Sequence, residues 1–439
     1  MIRPTLISLV RSPVRITLIA VAALSIAGGV YLSQRAEIND SAAATLQEPR
    51  TAFILEVFDT ILSSHWEKLE PQALAELMEK GIEKLTEKDW ALATPDRAGA
   101  EKLFTEALAS IPAEKQNEFT ATLGDIMLAN LKPFGRSRLY SKKEEQKLRD
   151  TVLNKDTGAN LYTSLGVDKS ASTAEVAKAY EAKQAQLAAQ PATPETQEAK
   201  VELERAFTAL QDENRRARYD EHGVEPTVTA KAVADTVGLV RITQVSPLSF
   251  EEFKTEMAAL SKNKRLSSLI IDLRGNIGGA VDTLQYFLGP FIGAGQYAYD
   301  FFHQGEPMPF RTRTGWLESL VQYKRVVVLI DSNTQSSGEV MAATLKKYNV
   351  GVLVGVPTKG WGTIEQVMPL KNQFSETETY SLFLVHSLTL REDNEPIEGR
   401  GVDPMIDIRT KGWEKELALH WNDSQLVRAV QNLIAGKDR

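Results

Sequence analysis

The chain contains no cysteine. That excludes disulfide cross-links, thiolate nucleophiles and cysteine-ligated metal, and it leaves the redox state of the compartment open. Histidine is scarce: five in 439 residues, scattered, with none of the spacings that gather a metal ion. No metal and no cofactor is expected. Positive charge is in deficit, 51 Lys and Arg against 58 Asp and Glu, for a formal net charge of −7. Nucleic acid is therefore not an expected partner. What remains, 43% hydrophobic and 25% charged residues, is enough for two or three domains with a sizeable core.

The first segment, residues 1–34, reads as a targeting or anchoring element. Arg3, Arg11 and Arg15 precede residues 16–32, which carry no charge. That run is near the lower length limit for a spanning helix. The arginines before it orient the rest of the chain away from the cytoplasm. A cleaved signal peptide with Ser25-Ile-Ala27 as its small-residue site is the competing reading. The apolar run continues past that site to Leu32, which favours an uncleaved anchor. The expectation is a protein of the bacterial inner membrane, held through residues 16–32, with its bulk in the periplasm.

Residues 51–140 have helical periodicity. Phe53, Ile54, Val57, Phe58, Ile61 and Leu62 share one face, and Leu74, Leu77, Met78, Ile82 and Leu85 another. His65 and Trp66 read as packing residues at a helix end. Residues 160–223 form a different module, two helices joined at Pro191-Ala-Thr-Pro194 and closed by Arg215-Arg-Ala-Arg-Tyr219-Asp220.

From residue 237 to 435 the pattern alternates strand and helix, which predicts crossover units and a sheet with parallel pairs. Ser249-Phe-Glu-Glu252 reads as a capping box opening one helix, and residues 279–287 as the next helix. Residues 293–321 are irregular and aromatic, and suggest a β-hairpin lining a peptide cleft. Residues 423–436 are amphipathic. In sheets of this kind ligands collect at the carboxyl ends of the strands. Two polar turns lie at such ends: Arg274-Gly-Asn-Ile-Gly-Gly279 after Leu269-Ile-Ile-Asp272, and Asn333-Thr-Gln-Ser-Ser337 after Val326-Val-Val-Leu-Ile-Asp331. A serine between a buried strand and a helix start is placed for nucleophilic chemistry, since free N–H groups there can hold an oxyanion. Ser336 or Ser337 as a plain helix cap is the alternative. Gly278 and Gly279 as turn glycines at positive φ are likewise the alternative to oxyanion donors.

Ser336-Ser-Gly-Glu339, then Val354-Gly355-x-Pro357-Thr358-x-Gly360-x-Gly362-Thr363, resembles the signature of the C-terminal processing (tail-specific) serine peptidases. Asp272-Leu-Arg274-Gly-Asn276-Ile-Gly278-Gly279 resembles the glycine loop of that family, and Glu398-Gly-Arg-Gly401-Val402-Asp-Pro404 its closing motif. The resemblance covers residues 237–433. It implies a mixed α/β peptidase core, a polypeptide substrate, Ser336 as nucleophile, and Gly278, Gly279 and Ser337 as the oxyanion site. It also implies a lysine base, and here the sequence departs. The family's lysine falls on Trp361, and the glutamine four residues later on Glu365. An indole has only an N–H donor and cannot accept a proton. Lys359 is a substitute base if its stem reaches Ser336, and a solvated turn lysine otherwise; Glu365 is the other substitute. His386, inside a strand pattern, reads as a packed or surface histidine.

The module at 160–223 resembles a J domain through Tyr162, Leu165-Gly166, Tyr180, Ala206-Phe207, Leu210, Asp212, Arg215-Arg216 and Tyr219-Asp220. The family's His-Pro-Asp tripeptide falls on Ala188-Ala-Gln190, which implies a J-like fold without co-chaperone activity. The module occupies the interval in which the peptidase family carries a PDZ domain. It is either a site for a protein partner or a spacer. Two functions follow: a membrane-anchored periplasmic serine endopeptidase with an altered base, or a catalytically inactive pseudopeptidase that binds polypeptides.

Overall fold

The computed structural model describes residues 48–155, 160–190 and 194–436. The expected anchor at 1–34 lies outside the described residues. Among the described residues no helix is long and apolar enough to cross a membrane.

Four helices open the fold: α1 (Pro49–Ser64), α2 (Pro71–Thr86), α3 (Arg97–Ala109) and α4 (Gln116–Ala129). Proline at the first position of α1 and the Glu48 carboxylate on Thr51 N–H at 2.8 Å set where that helix begins. Phe53, Ile54, Val57, Phe58 and Ile61 are fully buried against Leu74, Met78, Phe104 and Leu123, as their spacing predicts. His65 caps the end of α1 and is buried. The same core takes in Leu370, Leu382 and Leu384, so the helical domain is packed onto a sheet of the C-terminal half.

That sheet runs β1 (Arg138–Ser141), β10 (Tyr380–Thr389), β5 (Tyr297–His303), β6 (Glu306–Arg311), with β9 (Thr363–Pro369) on the other side of β10. The hairpin expected within 293–321 is β5–β6. After β1, α5 (Lys142–Val152) leads to the inserted module: α6 (Leu161–Leu165), α7 (Thr173–Ala188), α8 (Pro194–Leu210) and α9 (Glu213–His222). Ser172 and Glu175 form the capping box of α7. Leu161, Leu165, Val176, Leu203 and Leu210 make a separate small core, with Tyr180 stacked on Phe207 at 4.0 Å.

The second sheet carries β2 (Val228–Ala234), β3 (Val237–Ile242), β4 (Ser268–Asp272), β7 (Arg325–Ile330), β8 (Val352–Gly355) and β11 (Ile406–Asp407), in the order β11-β8-β7-β4-β3-β2. Only the β2–β3 pair is antiparallel. Its connections hold α10 (Ser249–Leu260), α11 (Leu284–Phe287), α12 (Gly289–Ile292) and α13 (Ser337–Lys347); α14 (Trp413–Trp421) and α15 (Ser424–Ile434) close the chain. Alternate residues of each strand face opposite layers. Ile271 and Val328 join Phe253, Phe287 and Met341 on one side. Ile270 and Val327 join Leu417, Leu426 and Val430 of α14 and α15 on the other.

Two local expectations are corrected. The Ser249–Glu252 capping box is not formed. Leu248 is the N-cap of α10, and the Glu252 carboxylate instead accepts from Thr227 N–H at 2.8 Å and Val228 N–H at 3.2 Å. An acceptor for the edge strand β2 outcompetes a local cap. Residues 279–287 are not one helix: a 3-10 turn at Val281–Thr283 precedes the one-turn α11, because Gly279, at φ +128°, is tied to Val245 in a bridge and cannot start a helical turn.

Candidate active site

The turn after β7 is built by Asp331, whose carboxylate accepts from Asn333 N–H (3.1 Å), Thr334 N–H (2.9 Å) and, across to the glycine loop, Gly275 N–H (2.9 Å). Gln335 N–H donates to Asn276 O at 2.9 Å. The chain then reaches Ser336 at φ +54°, ψ −125°, a region that non-glycine residues occupy only when their surroundings force them. Gly278 packs so tightly that a Cβ there would lie 2.5 Å from Ser336 Cβ and 3.0 Å from its Oγ. The glycine loop and Ser336 thus meet, as the two strand ends predict.

The oxyanion candidates separate on inspection. Gly278 N–H is already engaged, donating to Asn276 Oδ1 at 2.9 Å, so it is removed from the donor set. Gly279 is gripped on both sides by Val245, through Val245 N–H to Gly278 O (2.8 Å) and Ala280 N–H to Val245 O (2.7 Å). Its own N–H, and that of Ser337 at the first position of α13, make no hydrogen bond among the described residues. The Ser337 hydroxyl donates to Gly279 O at 2.9 Å and fixes the two groups side by side. With the N-terminal end of an 11-residue helix behind them, these amides are a place for negative charge.

Glu339, three residues into the helix and fully buried, is a hub that sequence reasoning missed. Its carboxylate accepts from Ser336 N–H (2.9 Å), Trp361 N–H (2.8 Å), Gly360 N–H (2.7 Å) and Thr358 Oγ1 (2.5 Å). Burial pushes its carboxyl above the usual carboxylate range against the pull of those four donors. The Ser-x-x-Glu spacing was the available signal, but it points to a cap and not to a residue shared with a distant turn. The closing motif joins the same cluster: Val402 N–H donates to Thr358 Oγ1 at 2.7 Å, and Gly362 N–H to Glu398 Oε2 at 2.8 Å.

Trp361 is half-buried. Its indole N–H donates to Glu365 Oε1 at 3.2 Å, and Thr363 Oγ1 donates to the same oxygen at 2.6 Å. Burial raises the Glu365 carboxyl above its ordinary range. The Arg136 guanidinium lies 3.7 Å from the indole centroid. Lys359 is exposed, and its Nζ donates to Gln335 Oε1 at 2.5 Å. Neither Lys359 nor Glu365 has Ser336 among its hydrogen-bond partners. His386 is elsewhere, with Ser387 Oγ at 2.8 Å and the His303 ring stacked at 4.1 Å.

Strand-end glycine loop, serine elbow and closing turn define a serine-peptidase type of site on an α/β core. Residues 236–408 match the model of Peptidase family S41, and residues 160–220 match that of the DnaJ domain. The chain therefore carries a segment of the Peptidase S41 type and one of the DnaJ type, each covering less than half of its length. It is 27% identical over 195 residues to the carboxy-terminal processing protease CtpA of Bacillus subtilis, covering 43% of this chain and 38% of that one. It is 24% identical over 180 residues to the carboxy-terminal-processing protease of Bartonella bacilliformis, covering 40% and 39%. The matched part thus spans under two-fifths of either relative. Among solved structures, the photosystem II D1 C-terminal processing protease aligns with a TM-score of 0.48 at 13% identity, covering 82% of this chain and 93% of that one.

Proposed function

We propose that this chain is a polypeptide-binding pseudopeptidase, held in the bacterial inner membrane through residues 16–32 with its folded part in the periplasm. One observation carries the reading: the side chain at 361 is an indole whose N–H is committed to Glu365, so it offers no lone pair to the Ser336 hydroxyl. A serine hydroxyl without an adjacent base is a weak nucleophile. The free amides of Gly279 and Ser337 would still receive a peptide carbonyl, so recognition survives where turnover does not.

The endopeptidase reading keeps one observation in its favour. Lys359 Nζ is bonded to Gln335, the residue beside Ser336. The stem would have to leave Gln335 and turn toward Ser336, and an amine serves as a base only when neutral. Digestion of casein by the purified chain, beside Ser336→Ala and Lys359→Ala, separates the two. The pseudopeptidase predicts no cleavage by any of the three while casein binding is retained. Cleavage by the wild type that both substitutions abolish establishes the endopeptidase with Lys359 as base.

A further inference from the structure

Arg136 lies in the loop at 132–137 that leaves the helical domain, more than two hundred residues before the turn it touches. Its Nε and Nη2 donate to Glu398 Oε1 at 3.1 and 2.9 Å, and the pair is largely shielded, with 20% and 14% of the two side chains exposed. The other carboxylate oxygen of Glu398 accepts from Gly362 N–H at 2.8 Å, so one acid binds both the arginine and the residue after Trp361. The guanidinium plane is at the same time 3.7 Å from the indole centroid. The loop is pinned at both ends as well. Trp66 Nε1 donates to Lys132 O at 2.6 Å, and Val385 N–H donates to Ser137 Oγ at 3.1 Å.

We propose that Trp361 and Arg136 are the two halves of a latch, and that the position where a proton acceptor would stand has become the attachment point of the helical domain. The indole face supplies the quadrupole that holds the cation, Glu398 sets the guanidinium over it, and Glu365 orients the ring by its N–H. A lysine at 361 would offer no face to the guanidinium, and while protonated it would repel Arg136. The two roles are mutually exclusive at one residue. A partner that lifts loop 132–137 would free the ring next to the Ser336 turn, so the helical domain becomes part of that site. The latch is independent of whether Ser336 reacts.

Hydrogen exchange of the peptide spanning 130–141 tests it on the intact chain. Arg136→Gln and Trp361→Ala should each speed exchange there by about tenfold, the scale of a shielded cation–π contact. The double variant should be no faster than the faster single, because both remove one contact. Trp361→Phe, which keeps a face and loses the N–H, should retain most of the protection. Unchanged exchange in Arg136→Gln, multiplying effects in the double variant, or Trp361→Phe as fast as Trp361→Ala would each overturn the latch.

Discussion

Glu339 and Glu365 both accept from Trp361, one from its backbone N–H and the other from its indole N–H, and burial raises both carboxyls, yet they respond oppositely to neutralisation. A carboxyl raised in the folded state favours the protonated form. Its contribution to stability is whole below the ordinary value of 4.5 and falls as pH climbs past it. Glu365 has two side-chain donors and no close cationic partner by hydrogen bond, so Glu365→Gln keeps an acceptor for both and removes the cost of a buried charge. Thermal unfolding should occur higher than wild type at pH 7, on the order of 2 °C for each kcal/mol recovered, with no gain at pH 4. Glu339 receives four donors on two oxygens. Glu339→Gln replaces one of those acceptors by an amide donor facing other donors, and should lower stability by at least roughly 2 kcal/mol. Melting curves of the two variants at pH 4 and pH 7 check both statements.

At the scale of elements, β10 is the strand that joins the parts. β9 pairs along one edge, while β1 and β5 share the other, meeting its two ends at Phe383 and Leu388. The gap between them is closed by Ser137, Trp66 and the stacked rings of His303 and His386. Burial, with His303 adding to it, pushes His386 down to about 4. For a lowered histidine the fold favours the neutral ring. Its contribution is whole above 6.5 and is lost as pH falls from there through about 4. Acidification from pH 7 to 4.5 should therefore loosen the β5–β10 junction, and His386→Gln should show a smaller drop in melting temperature over that interval than wild type. An equal drop would show that the stacked pair is not the sensitive element.

Across the whole molecule, periodicity carried the elements well and long-range chemistry poorly. The α1 stripe, the continuously apolar strands β4 and β7, and α15 are where their apolar residues predict, because helical period and short apolar runs are local patterns. The meeting of Gly278 with Ser336 was legible because both turns end parallel strands. Glu252 looked like a cap and serves β2; Glu339 was given no role and ties the Ser336 turn to the turn at 358–361; Gly278 looked like a donor and is satisfied by Asn276. The two glutamates are decided by partners distant in sequence, which no spacing encodes; Gly278 is decided by a neighbour two residues away, whose side-chain direction the sequence leaves open. Arg136 is the extreme case, 262 residues from Glu398. Trp361 was legible only as an absence of base; what it binds instead required the fold.

The central claim is that no proton acceptor serves Ser336. Replacing Trp361 by lysine alone would set an ammonium against the Glu365 carboxyl, and an ion pair there would keep the amine charged and useless as a base. Trp361→Lys with Glu365→Gln removes that partner. Mass measurement of the intact protein after incubation with a fluorophosphonate decides the matter. The account predicts an unmodified wild type and an adduct on Ser336 in the double variant, absent again when Ser336→Ala is added. An adduct on Ser336 in the wild-type chain at a comparable rate would contradict it.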